Sequence, residues 1–113
     1  MEDCLFCKMI SGEIPVKKMY EDKDMIIICD INPQAPKHYL AITKSHYKLL
    51  ASQTPAETEA LGRMLNKIAK LSDTLGLQGG YRLVINQGDD AGQSVHHLHV
   101  HILAGKTMGW TPA

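Results

Sequence analysis

Between positions 96 and 101 the chain reads His-His-Leu-His-Val-His, and four of its six histidines fall there. Few backbones suit that pattern. Side chains on a β-strand alternate between faces. A strand through this stretch sends His97, His99 and His101 to one side and Leu98, Val100 and Ile102 to the other. The first face is a row of imidazoles, successive ones roughly 6–7 Å apart from the rise of a strand. The second is apolar and belongs in a core. The imidazole face has three readings: a solvated surface, a three-histidine metal site, or covalent catalysis. Zinc accepts imidazole readily, but alternate positions along one straight strand do not converge easily on one ion. A neutral imidazole is a nucleophile near physiological pH, because its unperturbed pKa is about 6.5. A neighbouring histidine can donate a proton or, when charged, bind an anion.

The segment before this strand favours the third reading. Gly88-Asp-Asp-Ala-Gly92 is a loop whose backbone N–H groups can approach an anion. Gln93 and Ser94 add side-chain donors at its mouth. Beside aligned histidines, such a loop suggests a phosphate site.

The rest of the chain bounds the reading. Its 113 residues suit one domain over 1–113, and 44% hydrophobic with 21% charged residues is ordinary for a globular protein. Lys plus Arg and Asp plus Glu are 12 each, so no bulk charge draws the chain to nucleic acid or to an anionic membrane. The longest apolar run, Met25 to Cys29, is far too short to span a bilayer. The start, Met1-Glu-Asp-Cys-Leu-Phe, shows no secretory signal, which makes the cytoplasm the expected location. A domain of this size has a marginal core, which a metal or dimerisation can support. Of the three cysteines, Cys29 ends an apolar run and reads as a buried, inert thiol. Cys4 and Cys7 form a C-x-x-C pair, either a metal half-site or a redox dithiol.

Periodicity predicts a short helix over 3–11, stopped by Gly12 and Pro15, and strands over 16–21, 25–30, 39–43, 81–86 and 95–104. Ser45 to Ala51 reads as a helical turn. A long helix starts at Thr54, with Pro55 at its first position and Glu57 completing a capping box. Leu61, Met64, Leu65, Ile68, Leu71 and Leu75 form its apolar stripe, and Gly76 stops it. A tail over 106–113 carries the sole tryptophan, Trp110. This order of elements predicts an α+β domain with a largely antiparallel, five-stranded sheet.

The run from Gln93 to Leu103 resembles the signature of the histidine triad (HIT) family, His-x-His-x-His followed by apolar residues. The stretch from Asp30 to His38 is similar to that family's nucleoside-binding loop. Asn86 and the tail Met108-Gly-Trp-Thr-Pro112 match as well, and Gln-Ser-Val before the triad with Trp-x-Pro after it points to the Hint branch. The resemblance implies a HIT-like fold whose sheets join across a homodimer. It implies a hydrolase of purine nucleoside phosphoramidates in which His99 attacks the α-phosphorus, forming a nucleotidyl-histidine that water cleaves. His101 contacts the phosphate and, with Ser94, helps protonate the leaving group. Gln93 and the N–H groups of the loop ending at Gly92 stabilise the phosphate oxygens. His97 orients His99. Asp30 holds the ribose, Ile31 meets the base, and Asn86 lies near the ribose or phosphate. Bacterial relatives hold a structural zinc through positions that fall here on Cys4, Cys7, His46 and His97, while the chemistry itself needs no metal. His38 falls near the triad, and His96 reads as packing or dimer surface. The tail reaches toward the partner's nucleotide, although Gly109 stands where many relatives carry histidine. Two other classes remain open: a nucleotide-binding regulator with incidental hydrolysis, and a zinc-binding structural module.

Overall fold

The protein is described here by a computed structural model covering residues 4–110. In chain order it contains α1 (Leu5–Ser11), β1 (Tyr20–Glu21), β2 (Met25–Cys29), β3 (Lys37–Thr43), α2 (Pro55–Lys70), α3 (Ser72–Leu75), β4 (Tyr81–Val84) and β5 (His99–Ala104). All strands pair antiparallel in one sheet of order β1-β2-β3-β5-β4. The expected α+β class with a five-stranded antiparallel sheet is therefore present. No helix among the described residues is long and apolar enough to cross a membrane.

Strand alternation divides the core into two clusters. Met25, Ile27, Tyr39, Ala41, Val100, Ile102 and Ala104 face one side, where Met64, Ile68 and Leu75 cover them from the long helical segment. Ile26, Ile28, Leu40 and Ile42 face the other side, where Phe6 of α1 packs on them. His99 pairs opposite Ile42 and His101 opposite Leu40, so both imidazoles stand on the face that α1 covers.

Local chemistry explains the helices. Thr54 accepts from the Glu57 N–H at 3.2 Å while the Glu57 carboxylate accepts from the Thr54 N–H at 2.9 Å, closing the capping box. Ser45 donates from its hydroxyl to the same carboxylate, which ties the loop carrying His46 to the start of α2. The expected single helix is instead two. The Ser72 hydroxyl donates to the Ala69 carbonyl at 2.6 Å and competes with the backbone ladder, so α2 ends at Lys70 and α3 resumes at Ser72. Gly76 then ends α3 in the left-handed region at φ 74°, as a glycine stop requires.

Several expectations change. The strand expected over 16–21 is only Tyr20–Glu21, because Val16 turns into the Phe6 cluster. The helical turn expected over 45–51 is a 3-10 turn at Leu50–Ser52. β4 stops at Val84. Cys29 is exposed, not buried: it sits at the end of β2, beyond both core clusters. β5 begins at His99 rather than near Val95. Before it, Leu98 donates its N–H to the Tyr47 carbonyl at 2.7 Å, which takes the chain out of the ladder. Trp110 is 86% exposed; the tail residues 111–113 and Asp3 lie outside the described residues.

Candidate active site and metal centre

The early end of β5 sets the geometry of the triad. His97 lies outside the strand and is fully buried, while His99 and His101 are consecutive same-face residues within it, with ring centroids 5.1 Å apart. His97 and His99 each have one nitrogen bonded to a backbone carbonyl. His97 Nε2–H donates to the Thr43 carbonyl at 2.6 Å, leaving Nδ1 as a bare lone pair. His99 Nδ1–H donates to the His97 carbonyl at 2.7 Å, leaving Nε2 bare. A carbonyl only accepts, so both tautomers are fixed.

His101 is set differently. The Gln34 N–H donates to His38 Nδ1 at 3.0 Å, which places the proton of neutral His38 on Nε2. That N–H points at His101 Nδ1, 2.9 Å away, and lies 3.4 Å from Asp30 Oδ2. His101 Nδ1 is then the acceptor, and its own proton sits on Nε2. Neighbouring rings thus present opposite chemistry, a bare nitrogen on His99 and an N–H on His101. Asp30, His38 and His101 also lie close enough together for a cation. The Nε2 proton of His38 occupies the lone pair a cation would need, so this trio reads as a hydrogen-bond chain.

Burial, then the neighbouring His99 and His38, lowers the His101 pKa to about 4, with Asp30 opposing. That value lies below the ordinary histidine value of about 6.5, so on acidification the unfolded chain takes up this proton first. Stability tied to neutral His101 is full above about pH 6.5 and is withdrawn as pH falls toward about 4. Melting temperatures across that window should fall more steeply for the natural chain than for His101→Gln; equal slopes would contradict the assignment.

Beneath His97 lies a second cluster. Cys4 Sγ is 3.3 Å and Cys7 Sγ 3.6 Å from His97 Nδ1. His46 Nδ1 is 3.2 Å from Cys7 Sγ and 3.1 Å from His97 Nδ1. A tetrahedral zinc with bonds of ~2.3 Å to sulfur and ~2.0 Å to nitrogen has ligand–ligand edges of roughly 3.3–3.8 Å. The observed spacings approach those edges, and the His97 tautomer turns its lone pair inward with the Thr43 carbonyl behind it. Burial, then the adjacent Cys4 thiol, pushes the Cys7 thiol up to about 11. A divalent cation among these ligands reverses that preference and favours the thiolate. The four residues fit zinc.

The remaining sequence-named residues surround the triad less uniformly. Asp30 follows β2, accepts from the Asn32 N–H at 2.8 Å, and has its second oxygen 4.0 Å from His101 Nδ1. Ile31 beside it is fully exposed. Asn86 is half-buried just past β4. Gln93 is buried: it accepts from the Gly88 N–H at 2.9 Å and donates to the Lys48 carbonyl at 3.0 Å, so its amide braces the loop. Within that loop the N–H of Gly92 bonds the Asp89 carbonyl and that of Gln93 bonds the Gly88 carbonyl. Ser94 is exposed at its end, and so is His96. A concavity of about 610 Å³ lies elsewhere, between Gly76–Arg82 and Gly105–Met108, and holds none of these residues. Sequence reasoning did not find Phe6, whose ring meets both His97 and His99 edge-on. Its place between the two cysteines was the only signal.

Comparison with known proteins agrees with this geometry. The family model described as scavenger mRNA decapping enzyme C-term binding matches residues 3–111. Protein HitA of Neisseria gonorrhoeae is 43% identical over 103 residues, which is 91% of this chain and 96% of that protein. The crystal structure of a HIT family hydrolase from Legionella pneumophila Philadelphia 1 superposes with a TM-score of 0.91 at 42% identity, covering 98% of this chain and 100% of that one. A Zn-bound histidine triad family protein from Mycobacterium smegmatis superposes with a TM-score of 0.80 at 31% identity, covering 99% of this chain and 81% of that one. Identity at this level over nearly the full length, on a shared fold, means that this chain belongs to the histidine triad family.

Proposed function

We propose that the chain is a hydrolase of purine nucleoside 5′-phosphoramidates that works through a nucleotidyl-His99 intermediate. The observation carrying this reading is the hydrogen bond from His99 Nδ1 to the His97 carbonyl, which leaves Nε2 free to attack. The Legionella relative is described as a HIT family hydrolase, in keeping with this reading. In the first step His99 Nε2 gives its lone pair to the α-phosphorus, and the P–N bond breaks with its electrons leaving on the amine. A proton taken up from solvent with the anionic substrate makes the hydrogen-bonded His101–His38 pair cationic, and the Nε2 proton of His101 passes to the departing nitrogen. Ser94 contributes its hydroxyl at the same place. In the second step water attacks phosphorus, returns a proton to His101 and frees His99, releasing the nucleoside monophosphate. Asp30 accepts from the ribose hydroxyls, Ile31 offers apolar surface to the base, and Asn86 assists at the ribose or phosphate. Gln93 serves the phosphate by shaping the Gly88–Gly92 loop. Zinc on Cys4, Cys7, His46 and His97 would supply a closed structural anchor with no open position for substrate. The test is a panel of adenosine and guanosine phosphoramidates, adenylated lysine and dinucleoside polyphosphates. Turnover of the phosphoramidates by the natural chain and its loss in His99→Ala supports the reading; no turnover of any member contradicts it.

The working form is proposed to be a homodimer. β4 is an edge strand of the sheet, and an open edge is a ready site for pairing with a second copy. The Arg82 guanidinium on that edge donates to the Gly109 carbonyl at 2.7 Å, holding the tail alongside, with exposed Trp110 next to it. An exposed tryptophan is a common interface anchor. Light scattering should give twice the chain mass at micromolar concentration. A chain ending at Lys106 should discriminate less well among leaving groups. A monomer refutes the dimer; a truncated dimer with unchanged discrimination removes the role of the tail.

A further inference from the structure

We infer that Phe6 is a positioning residue that couples the metal centre to the nucleophile, so that metal occupancy sets the orientation of the His99 ring. The inference rests on the assignment of His99 as nucleophile. Phe6 lies between Cys4 and Cys7 in one helical turn, where the Cys7 N–H donates to Cys4 Sγ at 3.4 Å. Its ring is 4% exposed and stands edge-on to His99, with centroids 5.0 Å apart at 82°, and to His97 at 5.9 Å and 74°. Edge-to-face contacts of this kind favour one ring orientation over its neighbours.

Two connections therefore run from the metal cluster to His99. One passes through His97, whose Nδ1 faces the cysteines while its carbonyl holds His99 Nδ1. The other passes through α1 and the Cys4 that caps it, which together carry both thiols and Phe6. A filled centre fixes Cys4 and Cys7, and with them the ring between them. An empty centre leaves α1 held mainly by apolar contacts of Phe6 and its neighbours with Ile26, Ile28, Leu40 and Ile42. Placing a nucleophile within a fraction of an ångström matters greatly to rate, so a loosened wall acts on the chemical step more than on binding. A packing role alone would change stability and leave the His99 Nδ1–H bond to the His97 carbonyl as it was.

The experiment has two arms, read by nuclear magnetic resonance of the histidine rings and by kinetics. In the first, Phe6→Leu protein of verified zinc content is compared with the natural chain. The expected result is a weakened His99 Nδ1–H bond to the His97 carbonyl, read from the ring nitrogen shifts rather than from proton shifts that loss of any nearby aromatic ring moves, with kcat lower by about tenfold and KM within about twofold. In the second, the natural chain is measured loaded with zinc and after chelation. A through-space contact between the Phe6 and His99 ring protons is expected when loaded and is weakened on stripping. Phe6→Leu protein that keeps its zinc, its His99 ring nitrogen shifts and its kcat overturns the inference. So does a Phe6–His99 contact that is indifferent to the metal. The arms do not share a failure: one alters the ring with the metal in place, the other the metal with the ring in place. Normal turnover by His99→Gly would instead overturn the nucleophile assignment, whatever the ring contact does.

Discussion

A His99→Gly chain is expected to hydrolyse a nucleoside phosphoramidate at least a thousandfold more slowly than the natural chain, while keeping its fold and its zinc. The effect is large because no neighbouring group can replace the lost nitrogen. His101 presents an N–H rather than a lone pair, since its Nδ1 accepts from His38. His97 has both nitrogens committed, one to the Thr43 carbonyl and the other to the cysteine cluster. Folding should tolerate the change, because the apolar partners of β5 are Val100, Ile102 and Ala104 on the opposite face. The variant should therefore still bind a nucleoside monophosphate. Steady-state kinetics with a binding titration checks both parts, and a loss of only a few-fold would move the nucleophile elsewhere.

With zinc at the proposed centre, loss of the metal is expected to be the largest single blow to stability. A ligand present at about a hundred times its Kd stabilises by about 2.7 kcal/mol. For a domain of this size that is roughly 10–20 °C in melting temperature. Cys4→Ala should therefore lose its stoichiometric zinc and melt lower by that amount. Chelation of the natural chain should reproduce most of the shift and leave Cys4→Ala unmoved. The rate per folded molecule should fall by less, about tenfold, through the displaced Phe6. Metal analysis and calorimetry read this directly. Protein purified without chelator that contains no zinc, or that melts unchanged after chelation, would contradict it.

The sequence made some of this legible and hid the rest for physical reasons. Alternation showed that His99 and His101 share a face opposite Val100 and Ile102, because period-2 patterning is a property of any strand. The capping box at Thr54 and the stop at Gly76 were legible because both are local chemistry. Where β5 begins was not, because the bond from Leu98 to Tyr47 that removes residues 95–98 from the ladder is long-range. The exposure of Cys29 escaped notice because an apolar run does not say where its cover ends. The tautomers were invisible in principle: they depend on the Thr43 and His97 carbonyls and the Gln34 N–H, backbone groups that every sequence has. Gln93 read as a phosphate donor from its place at the mouth of the glycine loop, while its amide faces Gly88 and the distant Lys48, partners that the sequence does not show.

The central claim is a covalent bond between His99 and phosphorus, and rapid quenching tests it most directly. The natural chain is mixed with an adenosine phosphoramidate, quenched within one turnover at a pH that spares phosphohistidine, and weighed intact. The expected result is a transient mass increase equal to one adenylyl group, placed on His99 by fragmentation and absent from His99→Gly. Full turnover with no adduct at any quench time, or an adduct placed on another residue, would contradict it.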